Sequence, residues 1–508
     1  MTEEEQKGYS LPPYDLLKYE PTSTSEREAA QSELLKMQAI IADTLKAFRI
    51  DVKPDKITCG ASITRYEFAV PYGQSMRAIT RRKNDIMAAT QSFSVNILAP
   101  IPGKATVGIE LENSVKEPVY LRELLQSEVF HNPKIRIPIA LGKDVYGNPV
   151  IGDLAVMPHV LVAGSTVSGK SVCIDNMLLS ILYKFRPDEL KLVLVDSGVK
   201  NMHLYKELPH LAMPVIVRPD RVISALRWAV NEVERRYRLF SMCRVRNIED
   251  FNSRLPDAQA PQDAPAKGEL VQGGLDDREE EPLRTRLPYL VIVIDELADL
   301  MMQMKEDLEL YIARLTVNAR AAGIHLIAAT ESPCSQVVTG FIKTNLPSRI
   351  ALKVSSRKES HVILDEPGAE NLIGQGDLLF LPPGGPAKLE WAQGAFVSDA
   401  EIRQVVNHCY SFATQSFEKS AAGIYDDGAS SSGVQDSDSN DVDEALYARC
   451  KQLVIAERKA STALLQRRFR IGYGKAAIIM EMLEMRGVVA PATDSSRARE
   501  VLIESMNK

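Results

Sequence analysis

Leu34, Met37, Ile41, Leu45 and Phe48 recur at three- and four-residue spacing, which places them on one face of a helix. After them, Thr64-Arg65-Tyr66-Glu67-Phe68-Ala69-Val70 alternates apolar and polar positions and predicts a half-buried strand. From His159 the pattern changes. Short apolar runs at 159–163, 190–195, 289–294, 324–329 and 348–354 alternate with helical stretches. Such runs predict a parallel sheet with helices covering both faces.

These patterns divide the chain. Residues 1–25 are expected to be a loose leader, since Pro12, Pro13 and Pro21 break any helix. Residues 26–135 form a small α+β domain and residues 136–417 an α/β domain. Within the latter, about 252–287 contains QAPQDAPAKG and GGLDDREEEP, a composition that predicts a disordered surface insertion. Residues 418–442, with DDGASSSGVQDSDSND, predict a flexible linker. Residues 443–508 return to a compact pattern.

The chain has 508 residues, 45% hydrophobic and 25% charged, which excludes wholesale disorder and fibrous repeats. No run of about 18 apolar residues is present, so no membrane span is expected. The acidic, polar start excludes a cleaved signal peptide. The six cysteines stand far apart, which suggests a reducing compartment and buried thiols. Net charge is −6, so bulk charge does not announce a nucleic-acid binder. Residues 443–508, however, carry twelve Lys and Arg against eight Asp and Glu, making that unit basic.

The strongest chemical signal is Gly164-Ser165-Thr166-Val167-Ser168-Gly169-Lys170-Ser171, a G-x-x-x-x-G-K-S run. It follows the predicted strand 159–163 and precedes a helical run, the context a phosphate loop needs. Glycines let the backbone wrap close to phosphate oxygens, and the helix N-terminus favours their charge. Lys170 then reaches the β- and γ-phosphates of ATP, and the Ser171 hydroxyl ligates Mg2+. About 125 residues on, Leu290-Val291-Ile292-Val293-Ile294 ends in Asp295-Glu296. A buried strand of an open α/β sheet presents its C-terminal end to ligand. Asp295 would hold Mg2+ and Glu296 would polarise the attacking water. The other reading of this pair is a solvated turn or a helix N-cap. Arg320, just before the strand 324–329, is either a surface cation or an arginine finger for a neighbouring subunit.

In the C-terminal unit, helical stretches near 461–468 and 474–486 flank a short turn. Arg467, Arg468, Arg470 and Lys475 cluster there. This is either helix-turn-helix geometry offered to a major groove or an ordinary solvated basic face.

Several longer runs resemble the FtsK/SpoIIIE family of DNA translocases: MPHVLVAG (157–164), IVIDELADLMM (292–302), ARAAGIHLIAAT (319–330), TGFIKTNLPSRIALKVSS (339–356) and GAENLIGQGDLLF (368–380). STALLQRRFRIGYGKAA (461–477) resembles the family's winged-helix module, and IPGKATVGIELEN (101–113) its first motor subdomain. The resemblance implies an α/β fold with a RecA-like P-loop ATPase core, an N-terminal α+β domain and a C-terminal winged helix. It further implies a homo-hexameric ring around double-stranded DNA, driven by ATP and Mg2+, acting in chromosome segregation and cell division. The winged helix would read orienting DNA sequences through Arg467, Arg468, Arg470 and Lys475, and in division members it contacts the Xer recombinase. The family's membrane-anchoring helices do not appear in this chain. It is therefore expected to be a cytoplasmic member or a motor fragment, joined to the membrane, at the septum, only through a region outside it.

Four positions depart from the family pattern. Val167 stands where Gly, Asn or Ser is common. Val195-Asp196-Ser197-Gly198 replaces Asp-Pro-Lys, Thr330-Glu331-Ser332-Pro333 replaces Thr-Gln-Arg-Pro, and His361 replaces Arg. An acid at 331 would repel the γ-phosphate unless a cation compensates. A ring paralogue with weak motor activity and a secretion-type ATPase therefore stand beside the translocase reading.

Overall fold

The structure, a computed structural model, describes residues 9–20, 24–92, 95–101, 103–113, 117–197, 202–254, 286–384 and 389–425, with scattered positions between 450 and 489. The chain forms two compact units, residues 1–426 and 427–508.

The first layer is a four-stranded antiparallel sheet in the order β1-β2-β4-β3. Its strands are β1 (Lys53–Cys59), β2 (Ile63–Ala69), β3 (Val95–Leu98) and β4 (Thr106–Glu112). The helix Thr24–Ala47 lays Ile41 and Leu45, both fully buried, on a core shared with Tyr66, Phe68 and Ile109. Phe48, last in the predicted stripe, falls beyond the helix end and stays exposed, with the Arg82 guanidinium 4.1 Å from its ring centroid. The alternation in β2 predicted a half-buried strand, yet its central residues are buried on both faces. The polar positions find partners. Arg65 pairs with Glu110 at 2.6 Å, Lys104 with Glu67 at 2.7 Å, and Thr64 donates to Asn113 Oδ1 at 2.7 Å. Alternation marked two chemically distinct faces, one of which is covered by an ion-pair layer instead of water.

The second sheet has nine strands in the order β6-β5-β13-β12-β11-β7-β10-β9-β8. The five predicted apolar runs are β7 (His159–Ala163), β8 (Leu190–Val195), β9 (Tyr289–Ile294), β10 (Ile324–Thr330) and β11 (Ser348–Leu352). All five are neighbours and parallel. Successive residues face opposite cores. Val160, Val162, Val291 and Val293 meet the helices Lys170–Leu182 and Asp399–Phe412, whereas Leu161, Ile292, Ile294 and Leu326 meet Pro219–Cys243 and Leu297–Asn318. Each fully buried side chain of this size contributes about 1.5–3 kcal/mol, which is why such strands read as unbroken apolar runs. The sheet continues past β11 with four antiparallel strands: β5 (Pro138–Lys143), β6 (Pro149–Asp153), β12 (Asp377–Leu381) and β13 (Glu390–Gly394). The sequence pattern did not reveal these. They are five or six residues long, carry glycine or polar residues, and lie towards an edge.

Three expectations need correction. The leader is not loose from Tyr9 onward: Tyr9 and Leu17 are buried, the Tyr14 ring stacks on Tyr183 at 5.5 Å, and the Lys18 amide donates to Glu401 Oε1 at 2.8 Å. The prolines do prevent an α-helix, but a 3-10 turn at Tyr14–Leu16 needs none. The linker begins later than 418, because 418–425 packs onto the motor. The Glu418 amide donates to the Ala212 carbonyl at 2.7 Å, Trp228 Nε1 donates to Ser420 Oγ at 3.0 Å, and Ala421 and Ile424 are buried. Two cysteines, Cys59 and Cys334, are exposed. Of the insertion, 255–285 lies outside the described residues. Its base is tied by Asn252, which donates to the Leu287 carbonyl and accepts from the Leu287 amide, each at 2.9 Å. No helix among the described residues is long and apolar enough to cross a membrane.

Candidate active site

The phosphate loop connects β7 to the helix Lys170–Leu182. Gly169 sits at the helix N-cap with φ +102°, and a Cβ there would lie 2.6 Å from the Gly376 nitrogen. Gly164 is equally constrained: a Cβ would meet Ser168 Oγ at 2.6 Å and Leu352 Cβ at 2.9 Å. The loop is held from two sides. The Ser165 amide and hydroxyl both donate to the Lys353 carbonyl at 2.9 Å, and the Gly376 amide donates to the Ser168 carbonyl at 2.9 Å. Val167 lies at φ +68° and is 89% exposed, so a β-branched residue occupies left-handed backbone with little packing in return.

Lys170, the first residue of the helix, is 4% exposed. Its Nζ donates to the Asp295 main-chain oxygen at 2.7 Å and to Asp295 Oδ1 at 2.9 Å. Asp295 follows β9 and is 3% exposed. Glu296 is both things the sequence allowed, a site carboxylate and an N-cap. Its Oε1 accepts from the Ala298 amide at 3.1 Å, which caps the helix Leu297–Asn318. The same oxygen accepts from Thr330 Oγ1 at 2.7 Å, and Oε2 accepts from the Glu331 amide at 2.9 Å. Three donors from two elements thus orient one carboxylate at the C-terminal edge of the sheet.

The sequence flagged Glu331 only as a departure and assigned it no contact. Its Oε2 accepts from Thr166 Oγ1 of the loop at 3.2 Å, and its Oε1 stands 4.0 Å from Lys170 Nζ. The turn at Gly376 and the Lys353 carbonyl were also missed as loop supports; the GQGD run before β12 was their only trace. Of the other departures, Asp196 accepts from the Met202 amide at 3.0 Å, and His361 Nδ1 lies 3.1 Å from the Asp365 carbonyl in its own helix turn. On the helix that the loop opens, burial pushes the Asp175 carboxyl up to about 7. The Tyr205 hydroxyl, donating to it at 2.7 Å, works against that shift, and the charges of Asp295 and Asp399 add to it.

Arg320 is not part of this cluster. It precedes β10, and its Nε donates to the Ala155 carbonyl at 3.2 Å. It lines a cavity of about 280 Å3 with Arg136, Asn247 and Glu249, in which Arg136 and the Glu249 carboxylate form an ion pair. This is the N-terminal end of β10, the opposite edge of the sheet from the loop. His159 and His325 lie buried at the same edge. The Leu326 amide donates to His159 Nδ1 at 3.3 Å, and burial lowers His159 to about 4 and His325 to about 3. Of the predicted DNA contacts, Arg468 is described and exposed, whereas Arg467, Arg470 and Lys475 lie outside the described residues.

A phosphate loop after β7 and a strand-end carboxylate pair after β9, with β10 between them, define a P-loop ATPase with a RecA-like core. Three family models match in order: the FtsK alpha domain at 11–113, the FtsK/SpoIIIE family at 120–335 and the FtsK gamma domain, the winged helix, at 441–504. The DNA translocase FtsK of Clostridium tetani is 42% identical over 495 residues, covering 97% of this chain and 62% of that protein. The DNA translocase SpoIIIE of Bacillus subtilis is 39% identical over 502 residues, covering 99% of this chain and 60% of that protein. The conjugation coupling protein TcpA, solved with ATPγS, aligns with a TM-score of 0.48 at 18% identity, covering 73% of this chain and 99% of that one. The chain belongs to the FtsK/SpoIIIE family, and it spans about three fifths of the length of these translocase relatives.

Proposed function

We propose that this chain is the ATP-driven motor of a double-stranded DNA translocase that acts in chromosome segregation and cell division as a homo-hexameric ring. The observation that carries the catalytic part is the Glu296 carboxylate, fixed by three donors beside the buried Lys170–Asp295 pair. Proteins named DNA translocases align with 97–99% of this chain, and that supports the substrate.

ATP binds with its phosphates on the amides of Gly164, Ser165, Thr166, Val167, Ser168 and Gly169 and at the helix N-terminus. Lys170 exchanges its contacts with Asp295 for the β- and γ-phosphates. One hydroxyl and one carboxylate, Ser171 and Asp295, make a hard-oxygen donor set that would hold Mg2+, and the ion would supply neutralisation of phosphate charge. Glu296 accepts a hydrogen bond from the attacking water and takes its proton as the bond to phosphorus forms. Arg320 of a neighbouring copy supplies the cation for the leaving charge, since its own loop lies across the sheet. The basic cluster Arg467, Arg468, Arg470 and Lys475 contacts DNA, and the same module offers a surface to the Xer recombinase. A slow, nucleotide-gated DNA ring is the second reading, favoured by the Glu331 contact with the loop.

DNA-stimulated ATPase and displacement of a triplex-forming strand, measured together on the purified chain, test the proposal. Both activities are expected. ATP hydrolysis without displacement favours the gated ring, and absence of DNA stimulation contradicts the translocase reading.

A further inference from the structure

Glu331 accepts from one side chain of the phosphate loop and stands near a second. The Thr166 hydroxyl donates to its Oε2 at 3.2 Å, and Lys170 Nζ is 4.0 Å from its Oε1. Its backbone cannot drift away, because its amide is bound to Glu296 Oε2 at 2.9 Å and the neighbouring Thr330 hydroxyl to Glu296 Oε1 at 2.7 Å. Lys170 therefore sits between two carboxylates, with Asp295 Oδ1 on the other side at 2.9 Å, and its side chain is 4% exposed. Glu331, at 26% exposure, is the one of these two acids that borders solvent.

We propose that Glu331 sets the nucleotide preference of this site: its carboxylate stands on the loop where a third phosphate would bind, and so the site favours ADP over ATP until Glu331 is displaced or neutralised. This rests on the reading of the loop as a nucleotide site and deepens it. A carboxylate and a phosphate both present anionic oxygens to the same hydroxyl and ammonium donors. ADP reaches the loop amides and leaves the Glu331–Thr166 contact in place. ATP must move Glu331 off Thr166 and Lys170 and then hold a second anion within a few ångströms of it, in a partly desolvated setting where like charges repel strongly. The compensating cation has to come from outside the cluster, because Lys170 is the cation already shared between Asp295 and Glu331.

The test is equilibrium titration of the full chain, in Mg2+ and without DNA, with fluorescent ADP and a fluorescent non-hydrolysable ATP analogue. Glu331→Gln keeps the shape and removes the charge. It should tighten the ATP analogue by about tenfold or more while moving ADP by less than about threefold, because the repulsion acts on the third phosphate. Glu331→Ala should shift the ratio in the same direction, which separates loss of charge from a new amide hydrogen bond. Glu331→Asp should retain the preference for ADP. If parent, Gln and Ala variants all bind both nucleotides with one unchanged ratio, the inference is overturned and the nucleotide site stands. If the parent binds neither nucleotide, the reading of the loop falls and this inference with it.

Discussion

The two edges of the central sheet are built differently. At the C-terminal edge, Lys170, Asp295, Glu296, Thr330 and Glu331 form a network in which acids outnumber cations and each carboxylate accepts from a named donor. At the N-terminal edge, Arg320, Arg136 and Glu249 line a cavity, and two imidazoles, His159 and His325, lie buried at the same edge. One edge carries an excess of carboxylates around a single lysine, and the other sets two arginines, one of them paired with Glu249, around a cavity. On the proposed reading, the loop and carboxylates come from one edge and the arginine from the other. A second copy that brings its N-terminal edge to the first copy's loop would complete the set.

The comparison breaks most severely at Lys170. Lys170→Ala should abolish measurable nucleotide binding and also destabilise the fold, by about 3–5 kcal/mol, because the buried Asp295 carboxylate loses the Lys170 ammonium. Titration with a fluorescent ATP analogue and a denaturation curve check both effects. Next in size, Glu296→Gln should lower turnover by about 10²-fold or more, the scale of a positioned base, while ATP remains bound. The Gln amide keeps an oxygen for Ala298 and Thr330 but turns an NH2 towards the Glu331 amide. A local rise in hydrogen exchange at Glu331 is therefore expected as well.

The two edges should also respond to pH with opposite sign. His159 is lowered from 6.5 to about 4, so between those values the unfolded chain binds the proton and the native one does not. Stability from this edge is lost as pH falls from 6.5 towards 4, and His325 acts in the same direction. Asp175 is raised from 3.8 to about 7, so there the native state holds the proton. Stability from that group is lost as pH rises from 4 to 7. Thermal midpoints of the parent, His159→Gln and Asp175→Asn from pH 5 to 8 separate the two. The His159 variant should flatten the acid side, and the Asp175 variant should gain on the parent as pH rises. The smallest effect belongs to Val167. Val167→Asn should stabilise by about 1 kcal/mol, since Asn tolerates left-handed backbone. A shift in denaturant midpoint measures it.

Much of this was legible because burial on both faces leaves a plain trace. The five parallel strands stood out as apolar runs, and two of them, ending in Gly164 and in Asp295-Glu296, carried the chemical signal with them. The antiparallel extension β12-β13-β5-β6 was not legible, because β13, written Glu-Trp-Ala-Gln-Gly, carries no such run. Packing of Tyr9 to Leu17 escaped for another reason: prolines forbid a helix but do not forbid burial. Glu331 was visible as an odd residue, yet its contact with Thr166 spans 165 positions and depends on β7 and β10 being neighbours. Arg320 was found by its position before a strand, and only the fold reveals that it lies at the edge opposite the loop.

The most direct test mixes two inactive copies. Lys170→Ala retains Arg320 and lacks a working loop; Arg320→Ala retains the loop and lacks the cation. If the catalytic site is made from both edges of two copies, each variant alone should be nearly silent in DNA-stimulated ATPase. A mixture allowed to exchange subunits should then regain a clear part of the parent rate. Parent-like hydrolysis by Arg320→Ala alone, or a mixture no more active than its components, would contradict the account.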